Sequence, residues 1–157
     1  MRTKNNQKEE VAIEFTGEYD TEAYYLVKIY HCIIDAKTDI PVVKFMFEIM
    51  KNGISLENGK KLKNTKGLNK FKFYYLNNKE NLLYFISQLK SLETYGLPIT
   101  DYTKITSMQL FEIISSLEDF KDLKFGIKVK NSEKDPTHQI ITIIPKEESI
   151  KVGLIIK

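Results

Sequence analysis

The sequence predicts a mainly β domain with helices, an α+β chain, on three observations. Apolar and polar residues alternate in short segments up to residue 76. The period becomes helical after residue 77, and alternation returns after residue 123. The length, 157 residues, suits one domain. Residues 1–10, MRTKNNQKEE, carry charge without an apolar partner and are expected to form a flexible arm, leaving 11–157 as a single domain.

Val11–Phe15 reads as a short edge strand. The run AYYLVKIYHCII, from Ala23 to Ile34, is rich in aromatic and β-branched residues and predicts a strand. A turn is expected from Asp35 to Pro41, then a second strand over Val42–Met50. Here Val43, Phe45, Phe47 and Ile49 share one face, opposite Lys44 and Glu48. Gly53, Gly59 and Gly67 mark residues 52–69 as a loop. A third strand, Leu68–Leu76, is expected to turn Phe71, Phe73 and Tyr75 to the core and Lys70, Lys72 and Tyr74 outward.

Asn77 with Glu80 resembles a capping box for a helix carrying Leu82, Phe85, Ile86, Leu89 and Leu92, stopped by Gly96 and Pro98. A second helix is expected from Thr106, with Leu110, Ile113, Ile114 and Leu117 on one face. Strands return at Leu123–Lys130, with Phe125, Ile127 and Val129 inward, and at Gln139–Ile144. The latter is apolar on both faces, as a central or doubly covered strand would be. The tail IKVGLIIK is expected to pair as a further strand, cover an edge, or mediate assembly.

Three strands, a helical crossing and two more strands make the order of an OB-fold barrel, with the helical insert between strands 3 and 4. That fold binds oligonucleotides or oligosaccharides on its strand 2–3 face and the adjoining loops.

The residues offer little to catalysis. His31 and Cys32 are adjacent, so a strand sends them to opposite faces and they form no dyad. Two His and one Cys do not make a structural zinc centre by themselves. Five residues separate Gly53 from Gly59, and Lys61 stands where a phosphate loop needs a hydroxyl. Glu112, Glu118, Asp119 and Asp122 read as a solvated acidic face. No catalytic residue, metal or cofactor is expected, and the chain is read as a binding protein rather than an enzyme. No apolar run of about 18 residues spans a membrane, no signal peptide opens the chain, and Cys32 is alone, so a cytoplasmic location is expected.

Charge is unevenly spread. Residues 51–75 hold Lys51, Lys60, Lys61, Lys63, Lys66, Lys70 and Lys72 against Glu57 alone, a net +6 in a chain whose total is +3. Aromatic residues interleave with this run. With Lys28 and Tyr30 on the first strand and Lys44 on the second, the expected outward face carries ammonium groups and rings together. Single-stranded nucleic acid needs both, cations along the phosphates and rings under the bases. Lys28, Tyr30, Lys44, Lys60, Lys61, Lys63, Lys66, Lys70, Lys72 and Tyr74 are therefore the candidate nucleic-acid-binding residues, with Tyr24 a further ring.

A strand near GEY, then VVKFMFEI, the loop GKKLKN and the helix KENLLYFISQLKSLETYGLP are followed by SMQLFEIISSLEDFKDLKFGIKVK and QIITIIP. Over roughly residues 17–145 this layout resembles the phage-type single-stranded-DNA-binding OB-fold proteins. The resemblance implies non-sequence-specific binding of single-stranded DNA in replication or recombination, through the strand face and the 59–74 region, in a host cytoplasm. It also implies replication or recombination proteins as partners. Many such proteins recruit those partners through an acidic tail, whereas this chain ends IKVGLIIK. The alternative reading is a protein-binding module that occupies a host protein. Homo-oligomerisation through the apolar C-terminal strand is a further expectation.

Overall fold

The computed structural model describes residues 21–35, 42–97, 115, 121–134 and 138–156. The expected arm, the Val11–Phe15 strand, most of the turn before Pro41 and, apart from Ser115, the helix from Thr106 lie outside them.

The described elements are β1 (Ala23–Asp35), β2 (Val42–Ile49), β3 (Ile54–Ser55), β4 (Asn69–Tyr75), α1 (Lys79–Glu93), β5 (Phe125–Asn131), β6 (Gln139–Ile144) and α2 (Lys146–Lys151). The strands form one antiparallel sheet in the order β4-β2-β1-β5-β6, with β3 paired to the start of β1. The long β1 serves three partners: residues 23–27 pair with β5, residues 23–24 with β3, and residues from Val27 onward with β2. Every ladder in the series is antiparallel, so β4 and β6, at its two ends, run in the same direction.

The inner face is the expected one on β2 and β5. Phe45, Phe47 and Ile49 are fully buried, as are Phe125, Ile127 and Val129. Rings connect across this core: Phe45 meets Phe47, Tyr74 and Phe85, and Phe47 meets Phe125. The helix α1 covers the core with Phe85, Leu89 and Leu92, and its buried Gln88 accepts the Ile143 N–H of β6 at 2.6 Å. Asn78 rather than Asn77 caps α1, its side chain accepting the Asn81 N–H at 2.8 Å.

Three expectations are corrected. On β4 the faces are reversed. The ladder sets Lys70 opposite Phe47, Lys72 opposite Phe45 and Tyr74 opposite Val43, all on the inner side. Phe71, Phe73 and Tyr75 are 49%, 44% and 53% exposed, while Lys70 and Tyr74 are each 3% exposed. The margin of the core accepts the lysine stems because each ammonium finds a partner: Lys70 donates to Gln139 Oε1 of β6 at 2.5 Å, and Lys72 lies 5.5 Å from the Tyr74 and Tyr84 rings.

The second correction concerns β6. Among the described residues it ends the ladder series instead of lying at its centre, although its two faces are covered unequally: Ile141 and Ile143 join the main core, Ile144 lies in a smaller cluster, and Ile140 is exposed. The third is the tail, where no strand forms among residues 145–156. Pro145 leads into α2, and Leu154 is buried with Leu26 and Ile144 on the outer face of the sheet. Oligomerisation through a C-terminal strand therefore loses its structural basis. The docking is close enough that a Cβ on Gly126 would collide with Ser149 Oγ. The Tyr95 hydroxyl accepts from Gly126 N at 3.0 Å, donates to Ile144 O at 2.7 Å and contacts Ser149 Oγ at 2.5 Å.

Candidate functional site

The outer face of β1, β2 and β4 carries the candidate site. Antiparallel pairing places partners on the same side, so it builds this face in rungs. Ile33, Lys44 and Phe73 form one, His31, Met46 and Phe71 the next, and Val42 with Tyr75 sits beyond. Phe71, Phe73 and Tyr75 occupy alternate positions of one strand, so neighbouring rings emerge about 7 Å apart. Exposed Ile33 and half-buried Met46 fill the spaces beside them.

A bulge in β1 shapes this face. The ladder with β2 shifts between Ile29 and His31, leaving Tyr30 as the extra residue. Before the bulge the even positions Tyr24 and Lys28 face outward; after it the odd positions His31 and Ile33 do. Tyr30 is exposed at the bulge, and Tyr24 packs against the cluster under α2.

Of the lysines expected to act, Lys28 and Lys44 do lie on the outer face, each half-buried. Lys44 Nζ stands 3.3 Å from Asp35 Oδ2 and 5.6 Å from the centre of the Phe73 ring. Lys60, Lys61, Lys63 and Lys66 are exposed on the segment joining β2 to β4. That segment is tied down: Asn52 Oδ1 accepts the N–H groups of Thr65 and Lys66, and Thr65 Oγ1 accepts that of Gly53, all at 2.9 Å. Gly53 is required there because a Cβ would meet the Tyr25 ring at 2.5 Å. The lysines therefore project from a fixed frame beside the Asn69 end of β4.

Lys70, Lys72 and Tyr74 are separated from this group by the sheet. Tyr74 packs 4.9 Å from Phe85 and 5.3 Å from Phe45, and among the described residues its hydroxyl has no hydrogen-bond partner. Desolvation first, then the neighbouring Tyr84 and Cys32, push the phenol well above its ordinary 10.0. Burial lowers the Lys72 ammonium below its ordinary 10.5.

Tyr74→Phe is thus expected to raise stability by about 1–3 kcal/mol, because it removes a buried polar atom left unpaired. The raised phenol adds a pH signature. Its contribution is complete below 10.0 and is lost as pH rises through the higher folded-state value. Denaturant melts at about pH 8 and about pH 11 should show an alkaline loss in the wild type that is smaller in the Tyr74→Phe variant.

Among the described residues no group of three or more His, Cys, Asp or Glu is placed to hold a metal ion, and no helix is long and apolar enough to cross a membrane. His31 is exposed on the outer face while Cys32 points to the core margin. What the sheet presents is a surface for planar or apolar groups, edged by cations. Neither a protein-family model nor a curated protein matches the chain. Phe71, Phe73 and Tyr75 are the residues that sequence reasoning placed in the core, and the register with β2 is what brings them out.

Proposed function

We propose that the protein binds single-stranded nucleic acid without sequence specificity, single-stranded DNA in replication or recombination, on the outer face of β2 and β4. The observation that carries this is the exposed series Phe71, Phe73 and Tyr75 on one strand beside the lysine-bearing connection. Each ring offers a face to any base, so affinity without sequence preference follows. Lys28, Lys60, Lys61, Lys63 and Lys66 supply the charge for the phosphates, and no reaction chemistry is required. Lys70, Lys72 and Tyr74 have no place in this site.

The fold reading that accompanies it is an OB-type barrel. Its support is the strand order, the shared direction of β4 and β6, the Lys70–Gln139 hydrogen bond between them and α1 following the third long strand. β2 and β4 would then be the second and third strands of the barrel, the pair whose face takes ligands in that fold.

The test is an anisotropy titration with a labelled oligothymidylate and with a duplex, at two salt concentrations. Tighter binding to the single strand is expected, because stacking needs unpaired bases. Log affinity should fall with log salt by about 0.7 for each phosphate neutralised, so four contacts give a slope of roughly −3. Duplex binding as tight as the single strand defeats the proposal. Absence of any oligonucleotide binding would leave the exposed apolar face to a protein partner.

A further inference from the structure

One cation on the aromatic face is already engaged. Lys44 projects between the strand that carries Phe73 and the strand end that carries Asp35. Its Nζ is 3.3 Å from the Asp35 carboxylate, and the two side chains are 34% and 30% exposed. The same ammonium lies 5.6 Å from the Phe73 ring centre. The β1–β2 and β2–β4 registers dictate this arrangement, since Ile33, Lys44 and Phe73 share a rung and Asp35 follows Ile33 by one outward step. A lysine held by a carboxylate and a ring is not available to a phosphate unless it leaves the carboxylate.

Resting on the single-strand reading above, we infer that Asp35 withholds Lys44 from the nucleic-acid backbone and so limits the affinity and salt dependence of the site. The pair is locally neutral, so Lys44 displaces no condensed counterion while it is held. Removing the carboxylate charge releases the ammonium to neutralise one more phosphate. Asp35 is in this sense a tuning residue: it touches Lys44 and acts through it.

Asp35→Asn, Lys44→Met and the double variant separate this from a general effect of charge. Each is titrated with labelled oligothymidylate of about twelve nucleotides, within the span such sites cover, over a range of salt. Asp35→Asn is expected to bind about two- to fivefold more tightly at low salt, the range that a partly exposed ion pair supports. Its slope should steepen by about 0.7, so that the gain fades as salt rises. Lys44→Met alone should leave the slope unchanged, and Asp35→Asn should have no effect in the Lys44→Met background.

An unchanged slope and affinity in Asp35→Asn overturn the inference. So does a gain that persists without Lys44, which would be the plain removal of a negative charge near a polyanion. A slope that becomes shallower in Lys44→Met alone also overturns it, and this arm stands even where Asp35→Asn does not fold. Wild-type binding with a silent Asp35→Asn removes this inference only. Wild-type protein that binds no oligonucleotide removes the function proposed above and this inference with it.

Discussion

Replacing Phe71 and Phe73 together by alanine is expected to weaken single-strand binding by about 2–6 kcal/mol, from two stacking planes at about 1–3 kcal/mol each. Folding should be spared, because both rings are exposed and leave no cavity. The salt slope should also hold, since no charge is lost. Anisotropy titration beside a denaturant melt reads all three quantities. A double variant that binds as the wild type does would mean the rings serve some other contact. One that unfolds would mean the outer face is covered in solution.

Phe45→Ala is expected to act in the opposite sense, lowering stability by about 3–5 kcal/mol. Its ring is fully buried and meets Phe47 at 6.0 Å, Tyr74 at 5.3 Å and Phe85 at 6.1 Å, so its loss opens a cavity that three neighbours border. Paired with Phe73→Ala in the same melts, it tests which face of the sheet is the core. Similar losses in the two variants would contradict the placement of β4.

The difference between these two phenylalanines marks where the sequence was legible and where it was not. On β2 the alternation was clear because Lys44 and Glu48 oppose aromatic and aliphatic residues, and the structure has the expected face. α1 was equally plain from Phe85, Leu89 and Leu92, though its cap lies one residue later than the spacing suggested. On β4 both faces are half apolar. Phe71, Phe73 and Tyr75 oppose Tyr74 and the methylene stems of Lys70 and Lys72, and alternation alone favours the wrong side. Only pairing with β2 decides it, and pairing is a tertiary fact. The Tyr30 bulge hides in the same way, within a run whose residues suit either face. The tail was ambiguous because its anchors, Gly126, Ser149 and Tyr95, are far apart in sequence and join only once the sheet has formed.

Lys70 has a consequence for how the molecule avoids its own kind. Among the described residues β4 has a single ladder partner, β2, so its other margin is an edge of the sheet. A bare edge invites a strand from another copy and leads to aggregates, a risk that rises while chains are still folding. Here that edge holds a lysine pointing inward, its ammonium bonded to Gln139 across the seam. A strand entering between β4 and β6 would have to part this bond, made by a lysine that is 3% exposed, and parting it is unfavourable. The exposed rings of Phe71, Phe73 and Tyr75 thus stand beside a backbone edge whose inward lysine works against self-association.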